Sequence, residues 1–402
     1  MTASRSVIVA GAGIGGLTAA LALARNGFRV VVLEQAERLA EIGAGIQLTP
    51  NATRLLLELN LGDRLRPHVV APLALHVLDG ASGREIVRMP LGEAEARYGA
   101  AYWMIHRGDL QSALAAAVAE QRDIVLKLGT RMEDFATHAH GVTVSASGTG
   151  GLWNEHGHAL IAADGLWSQA PAQLGFKEPP RFAGRSAWRA LVPAAAAAAE
   201  FRGPEIYLWL GRDAHVVHYP VKAGAVINVV VIAKDAWNAS GWSVPAARAD
   251  LLPRLPAALW AAPQLQALIA QPDIWLKWAL YDRSPLPAYS HGAAALIGDA
   301  AHPMLPFLAQ GAAMAIEDAV VAARCLRLEL DDAAAALKAY SAVRRPRTRK
   351  VQRQAARNGS RYHRSLLPAA LRNAAMRTIG GPRLLRHYDW LYDWRPPAAL
   401  SK

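Results

Sequence analysis

The feature that most constrains the fold is a glycine motif near the start of the chain. The apolar residues 6–10 lead directly into Gly11-Ala12-Gly13-Ile14-Gly15-Gly16, which matches the pattern G-x-G-x-x-G. Gly11 permits a tight turn, Gly13 lets the backbone approach a pyrophosphate, and Gly16 lets the next helix pack closely on the strand. The motif predicts the first strand, turn and helix of a dinucleotide-binding unit. Its predicted cofactor-binding residues are Gly11, Gly13, Ile14, Gly15 and Gly16.

The residues that follow complete a β-α-β unit. Residues 17–25 are good helix formers, Asn26-Gly27 is a helix stop, and residues 28–33 form a second apolar strand that ends at Glu34. An acid at this place accepts hydrogen bonds from an adenosine ribose and repels a 2′-phosphate. Glu34 therefore predicts FAD or NAD as the bound dinucleotide, and not NADP.

Composition sets the broad class. The 402 residues are 52% hydrophobic, which is enough for one large core or two fused cores. The single cysteine, Cys325, excludes an internal disulfide, so we expect a cytoplasmic protein. No apolar run reaches the length of a membrane span. The net charge of +12 is interpreted as solvated surface, with attraction for anions such as dinucleotide phosphates or an aromatic carboxylate as the alternative. The basic cluster 344–350 is interpreted as a solvated face, and no nucleic-acid partner and no metal site are expected.

Three later segments identify the family. They are His106-Arg107-Gly108-Asp109-Leu110, Ala163-Asp164-Gly165, and Gly298-Asp299-Ala300-Ala301-His302-Pro303, which runs on to Gln310-Gly311. In this order they resemble the single-component FAD-dependent aromatic hydroxylases, the group of para-hydroxybenzoate hydroxylase. Within that group the chain is most similar to the salicylate, 3-hydroxybenzoate and 6-hydroxynicotinate monooxygenases. The resemblance extends from residues 43–52 to residues 388–395 and is much less specific for the substrate than for the family.

The resemblance implies tightly bound FAD, NADH or NADPH as a transient reductant, with NADH favoured, and O₂ as co-substrate. Arg107 would pair with an FAD phosphate or the ribitol, and Asp299 would accept hydrogen bonds from the ribitol. Asp164 would support the pyrophosphate geometry and reductant docking. The helix that begins at Gly311 and Ala312 would point its N–H groups at the flavin pyrimidine edge. The family's arginine after the Asp-Gly pair is absent here, so reductant docking is expected to differ.

The implied fold class is α/β, with a Rossmann-type FAD-binding domain, an interleaved antiparallel-sheet substrate domain and a C-terminal helical region. The predicted FAD-binding domain comprises residues 1–75, 102–178 and 283–340, the substrate domain residues 76–101 and 179–282, and the helical region residues 341–402. Strands are predicted at 187–192, 205–210, 215–221 and 225–233, and helices within 245–272.

One predicted strand carries candidate catalytic residues. With a side-chain period of two, His215 and Tyr219 share one face of residues 215–220, about 13 Å apart, and His218 takes the other face. The resemblance places such a His and Tyr in the active site, with Tyr219 as a proton acceptor and a flavin hydroperoxide as the oxygenating species. A phenol has a pKa near 10, so deprotonation assists its attack at neutral pH.

Further residues are candidates for the substrate pocket. The 6-hydroxynicotinate enzymes carry histidine at the position of Gln47 and a polar group near Phe307. Pro306 and Phe307 make that wall apolar here, which favours a hydroxybenzoate or a larger apolar phenol. Arg189 is a candidate for binding a substrate carboxylate or for a sheet-edge salt bridge. The other predicted pocket residues are Trp188 and Trp209.

These features predict a monooxygenase that hydroxylates a small aromatic substrate, with the question of decarboxylation open. Two alternatives remain at the level of sequence. One is a flavin-dependent epoxidase or reductase of an isoprenoid or quinone, and the other is a non-catalytic flavin-binding regulator. A monomer or a homodimer is expected.

Overall fold

A computed structural model describes residues 5–39, 44–176, 178–237, 241–255, 260–363 and 366–400. Gly43 of the family resemblance and residues 256–259 of the predicted helical segment lie outside the described residues. Within the described residues, no helix is long and apolar enough to cross a membrane.

The strands of the described residues follow in chain order. They are β1 (Ser6–Ala10), β2 (Arg29–Leu33), β3 (Gly45–Leu48), β4 (Ala74–Asp79), β5 (Glu85–Pro90), β6 (Trp103–His106), β7 (Ile124–Lys127), β8 (Arg131–His138), β9 (Gly141–Gly148), β10 (Gly151–Gly157), β11 (Ala159–Ala162), β12 (Arg181–Pro193), β13 (Glu205–Leu210), β14 (Ala214–Val221), β15 (Val226–Lys234), β16 (Ser243–Ala247), β17 (Ile274–Asp282), β18 (Ser290–His291) and β19 (Ala294–Leu296).

The α-helices of the described residues are numbered in the same way. They are α1 (Ile14–Arg25), α2 (Pro50–Glu58), α3 (Gly62–Leu65), α4 (Ala94–Tyr98), α5 (Arg107–Ala119), α6 (Ala170–Gln173), α7 (Arg248–Leu251), α8 (Pro263–Ala270), α9 (Gly311–Leu328), α10 (Ala333–Tyr362), α11 (Leu366–Ile379), α12 (Gly381–Arg386) and α13 (Asp389–Tyr392).

A six-stranded sheet forms the dinucleotide-binding layer. Its strand order is β18-β19-β11-β1-β2-β7, and every pair is parallel except β18–β19. The central strands are short buried apolar runs, as expected when both faces of a parallel sheet are covered. Helices α1 and α9 pack against one face in the largest hydrophobic cluster. The structure confirms the predicted β-α-β unit, with α1 beginning at Ile14.

A three-stranded antiparallel sheet, β10-β9-β8, covers the other face of this layer. Val142, Val144 and Ala146 of β9 are buried against Ile8 and Leu160 of the parallel sheet. The sequence analysis did not predict this sheet.

An eight-stranded sheet forms the second layer, in the order β16-β17-β12-β15-β14-β13-β4-β5. The sheet was expected to be antiparallel, but β13 pairs with β4 in parallel. The parallel pair arises because β4 and β5 come from a separate, earlier segment of the chain. One face packs against α7 and α8 in a hydrophobic cluster around Trp260. The other face packs against the loop before α9 and the C-terminal helices.

Candidate active site

The glycine loop has the close packing that the motif requires. Gly11 has φ +97°, and a Cβ there would lie 2.6 Å from the carbonyl oxygen of Ala163. A Cβ on Gly16 would lie 1.9 Å from the carbonyl oxygen of Gly11. A Cβ on Gly13, in contrast, would meet nothing within 4 Å. The loop is therefore tight against the protein at two glycines and open at the third, where the start of α1 presents unpaired N–H groups.

Glu34 lies at the other side of this opening. Its carboxylate accepts hydrogen bonds from the backbone N–H groups of Ala12 (2.7 Å) and Ala36 (2.9 Å). These bonds fix the carboxylate at the rim of a cleft of about 450 Å³. The cleft is also lined by Gly11, Gly13, Asp164 and a segment that the sequence analysis missed, Thr130 to Glu133. Its shape and donors suit the adenosine and pyrophosphate of a dinucleotide.

Asp164 follows β11 inside the same cleft. Its Oδ1 is buried and has no hydrogen-bond partner among the described residues. Burial raises the pKa of this carboxyl, although a hydrogen bond with Ser168 opposes the rise. A buried carboxylate oxygen that points into the cleft is suited to accept a hydrogen bond from a bound ligand.

A second group of predicted cofactor residues surrounds the start of α9. Asp299 lies just after β19. Desolvation by the surrounding protein raises the pKa of its carboxyl, whereas the charges of His302 and Arg107 lower it. Arg107 begins α5. Gly311 begins α9, and a Cβ there would meet nothing within 4 Å. Ala312 is half-buried beside it.

A buried network of ion pairs joins α9 to α10 next to these predicted cofactor residues. Arg344 pairs with Glu317 (2.6 Å) and Asp318 (2.6 Å), and Asp318 also contacts His302 (2.5 Å). Arg347 pairs with Glu317 at 2.8 Å. The interpretation of residues 344–350 as a solvated face is therefore wrong for two arginines. Arg344 and Arg347 point inward because the acidic pair on α9 compensates their charge.

The network continues to the N-terminal ends of α2 and α9. Asn51 donates to Glu317 (2.6 Å) and to Gln310 (3.3 Å), and Gln310 donates to Thr49 (2.8 Å). These contacts fix the N-terminal end of α9 against α2. The N–H groups at the start of α9, which are predicted to face an anion, are thus held in position by polar and charged residues that lie far apart in the sequence.

The inner face of the eight-stranded sheet presents the candidate catalytic residues in three rows. Across β12, β15 and β14, the rows are Ala187-Ile232-His215, Arg189-Val230-Val217 and Leu191-Asn228-Tyr219. Neighbouring strands are about 4.8 Å apart, so Arg189 and Val217 are separated by about 10 Å across the sheet. His215 and Tyr219 occupy opposite ends of β14 on this face.

His215 forms a buried pair with a residue that the sequence analysis missed. Its Nδ1 lies 2.8 Å from Nε2 of His363, next to the end of α10. Burial lowers the pKa of both imidazoles, that of His363 to about 3. His363 and Arg185 lower the pKa of His215 further, and Arg185 and Arg372 do the same for His363. Among the described residues, Nε2 of His215 has no hydrogen-bond partner. Both rings are therefore neutral at pH 7, and one nitrogen of His215 is available to a ligand.

Tyr219 belongs to a chain of side-chain hydrogen bonds. Tyr102 donates to Oε1 of Gln47, and the amide of Gln47 hydrogen-bonds the Tyr219 hydroxyl. Burial raises the pKa of Tyr219, whereas Arg189 and the Gln47 hydrogen bond lower it. Tyr219 is therefore a neutral phenol at pH 7, and its proton is free to be donated to a ligand.

Arg189 is a half-buried cation near Tyr219, and its Nε is shielded from solvent. Its guanidinium lies 4.3 Å from the centre of the Trp278 ring, and it forms no ion pair with a carboxylate in the described part of the chain. Burial lowers the pKa of Arg189 to about 10, Tyr219 raises it, and Arg107 lowers it. The alternative of a sheet-edge salt bridge is wrong, because β12 lies inside the sheet between β15 and β17.

Two predicted pocket residues face away from this site. Trp188 and Trp209 lie in the hydrophobic cluster on the outer face of the sheet, with Trp260. Trp188 is the neighbour of Arg189 in β12, so the pleat directs the two side chains to opposite faces. The prediction that Trp188 and Trp209 line the pocket is therefore wrong. His218 lies on that outer face too, stacked on Tyr207 at 4.8 Å.

Phe307 covers one end of the inner face. Its ring is buried and lies 5.5 Å from the His215 ring and 5.7 Å from the His363 ring. It fits against α10 at Gly359, where a Cβ would lie 2.5 Å from the ring. Pro306 beside it is half-buried. Phe307 therefore makes the surroundings of His215 largely apolar, although the charge of Arg185 is close enough to lower the pKa of both imidazoles.

The comparisons with known proteins agree with this geometry. The chain belongs to the family described as FAD binding domain, whose model matches residues 4–355. A 3-hydroxybenzoate 6-hydroxylase of Aquipseudomonas alcaligenes is 36% identical over 393 residues, which are 96% of this chain and 97% of that protein. A 6-hydroxynicotinate 3-monooxygenase of Bordetella bronchiseptica is 35% identical over 354 residues, 86% of this chain and 89% of that protein.

Solved structures show the same fold. A salicylate hydroxylase in a substrate complex superposes with a TM-score of 0.83 at 26% identity, covering 100% of this chain and 98% of that one. Klebsiella pneumoniae HpxO with FAD and uric acid gives a TM-score of 0.82 at 28% identity, covering 95% of both chains. The open Gly13, the partnerless Asp164 oxygen and the open Gly311 all fit FAD, which is the cofactor of this chain.

Proposed function

We propose that this chain is an FAD-dependent monooxygenase that hydroxylates a phenolic ring carrying a carboxylate. The observation that carries the proposal is Arg189, a half-buried cation that has no carboxylate partner among the described residues and lies on the sheet face that also presents His215 and Tyr219. A buried guanidinium is costly unless it is paired, so a substrate anion is its natural partner. Relatives named for hydroxybenzoate substrates support the same substrate class.

Arg189 and Tyr219 form the proposed anion end of the site. Tyr219 raises the pKa of Arg189 and Arg189 lowers the pKa of Tyr219, which supports placing both at the same end of the site. The Tyr219 hydroxyl, held by Gln47, donates one hydrogen bond to the carboxylate, and Arg189 supplies the compensating charge. Together they orient one edge of the ring.

His215 forms the proposed hydroxyl end. It lies about 13 Å from Tyr219 along β14, which leaves room for one substituted benzene ring between the two side chains. If Nδ1 of His215 donates to His363, its Nε2 accepts a hydrogen bond from the substrate hydroxyl. The proton moves to Nε2 only as the ring attacks, because burial gives the free imidazole a low affinity for protons. We therefore assign proton acceptance to His215 and anion binding to Tyr219, instead of the Tyr219 base expected from the sequence.

FAD, when bound, supplies the electron transfer and oxygen chemistry of the reaction. The protein residues do three other things: they bind the ring, they deprotonate it at His215, and they exclude water with Phe307. Deprotonation matters because a phenolate is a much better nucleophile than a phenol. An apolar environment at the hydroxyl end preserves that reactivity.

The remaining parts of the proposal concern the reductant and the cell. We propose NADH as the reductant, and equal kcat/KM values for NADH and NADPH would contradict this preference. We also propose a cytoplasmic location and a monomeric or homodimeric state, and the buried free Cys325 is compatible with that location.

The two alternative functions have less support. A buried cation on the reacting face is unfavourable for a wholly apolar isoprenoid substrate. A non-catalytic regulator does not require a pair of neutral imidazoles with one nitrogen left for a ligand. Substrate-stimulated oxidation of NADH separates these cases, because a regulator would show none.

The role of His215 is tested with two matched variants on one strand. His215→Phe removes the proton acceptor from the inner face, and His218→Phe makes the same chemical change on the outer face. We expect the first to lower the hydroxylation rate by about 100-fold, and the second to leave it within about threefold. Flavin content measured from the visible spectrum checks that both variants are folded. Equal rates for both variants would contradict the assignment.

A further inference from the structure

A second concave site lies on the outer side of α10. It is a pocket of about 400 Å³, here called the α10 basic pocket, and Trp390 forms one wall. Its lining cations are Arg345, Arg349, Lys350, Arg353 and Arg357. The pocket shares no lining residue with the cleft at Gly11 and Glu34.

The charges in this pocket are not compensated by the protein. None of the five cations forms an ion pair with a carboxylate in the described ranges. The nearest acid in the chain to Trp390, Asp389, is occupied by Arg97 (2.7 Å) and Tyr98 (2.7 Å). Positive side chains four residues apart on a helix repel each other, and Arg345, Arg349, Arg353 and Arg357 repeat that spacing three times. The arrangement destabilises the free helix and favours a multiply charged anion.

Trp390 gives the pocket an aromatic surface. The ammonium group of Lys350 lies 3.9 Å from the centre of its ring. The backbone oxygen of Trp390 accepts a hydrogen bond from Arg347 (2.8 Å), which ties this wall to α10. The wall is therefore fixed, and two cations, Lys350 and Arg347, lie over the indole ring. A ligand that combines phosphates with a planar ring matches such a surface.

We infer that the α10 basic pocket binds a small molecule with two or more phosphates, of the nucleotide type, at a site separate from the flavin. A single carboxylate would leave most of the five cations uncompensated. Guanidinium groups bind phosphate oxygens in a bidentate manner, and four of the five cations are arginines. The volume of about 400 Å³ is large enough for a small molecule.

The test is calorimetric titration of the FAD-saturated enzyme with ATP and, separately, with inorganic tripolyphosphate at physiological salt. We expect saturable binding of ATP with a Kd on the order of 10 µM. The double variant Arg349→Glu/Arg353→Glu should weaken it by at least about 100-fold. The control Arg29→Glu/Arg122→Glu makes the same change in net charge at two exposed positions away from the pocket and should change the Kd by less than about threefold.

The two titrants separate the parts of the ligand. Trp390→Leu should weaken the binding of ATP and leave the binding of tripolyphosphate unchanged, because only ATP has a ring that can stack on the indole. The milder double variant Arg349→Gln/Arg353→Gln should weaken the binding of both ATP and tripolyphosphate, and its flavin spectrum should stay unchanged. The inference is overturned if ATP shows no saturable heat, or if the pocket variants bind it as tightly as the control variant does.

Discussion

Replacing Arg189 by methionine should have opposite effects on catalysis and on stability. Methionine keeps most of the side-chain length but removes the charge. In the free protein the guanidinium lies beside Trp278 without a carboxylate partner among the described residues, and burial lowers its pKa to about 10. That depression corresponds to about 3 kcal/mol against the charged form at every pH well below 10. The variant should therefore gain up to about 3 kcal/mol in unfolding free energy, less the lost contact with Trp278.

The effect on catalysis has the other sign. A substrate carboxylate that loses its buried cationic partner forfeits about 3 kcal/mol, which is roughly 100-fold in kcat/KM. The assay compares a hydroxybenzoate with its methyl ester, because the ester keeps the ring and hydroxyl and lacks the charge. Arg189→Met should lower kcat/KM for the acid by about 100-fold and for the ester by less than about threefold.

A control variant is available on the same strand. Arg181 of β12 is exposed, and its guanidinium forms an ion pair with Glu178 at 3.5 Å. Arg181→Met should leave the unfolding free energy unchanged, together with the kcat/KM values for the acid and for the ester. Equal losses for acid and ester in Arg189→Met would refute the proposed anion end, and a destabilised Arg189→Met protein would refute the claim that its charge is uncompensated.

Three further predictions concern the cofactor, the substrate and the pH. Gly13→Trp should abolish the yellow flavin spectrum by filling the open side of the loop, whereas Gly150→Trp, which also has free space around it, should retain it. Tyr219→Phe removes a hydrogen bond to an anion and should lower kcat/KM for a hydroxybenzoate by about tenfold. Tyr207→Phe, on the other face of the sheet, serves as its control. Identical kcat/KM values for the two variants would exclude anion binding by Tyr219. Burial lowers the pKa of His218 to about 3, so its contribution to stability is complete above about pH 6.5 and is lost by about 1.4 kcal/mol per pH unit as the pH falls toward 3. Urea unfolding between pH 7 and pH 5 should accordingly show a shallower pH dependence for His218→Phe, and an unchanged slope would contradict the buried neutral state.

Local sequence signals predicted the parts of the fold that local physics determines. The β-α-β unit was predictable because its glycines, apolar strands and terminal acid lie within about thirty residues. β13 has the predicted bounds, 205–210, and the period of two correctly put His215 and Tyr219 on one face. The same period requires Trp188 and Arg189 to face opposite ways, but it does not say which of them faces the site.

Long-range contacts account for what the sequence did not reveal. His363 meets His215 across 148 positions of the chain, and no local pattern marks that pairing. Arg344 lies in a run of basic residues typical of a surface, yet it is fully buried because Glu317 and Asp318 occupy the neighbouring helix. The three-stranded sheet over the dinucleotide-binding layer was missed because β8 and β10 are mostly polar. Its central strand, β9, does carry a signal: Val142, Val144 and Ala146 alternate with polar residues.

The most direct test of the account is product analysis under oxygen-18 gas with a panel of hydroxybenzoates, their esters and hydroxypyridines. The purified enzyme is supplied with NADH, and the products are examined by mass spectrometry. The account predicts that one carboxylated phenol accelerates NADH oxidation and acquires one labelled oxygen atom on its ring. NADH oxidation that no compound accelerates, or a product without the label, would contradict the proposal that this chain is an aromatic monooxygenase.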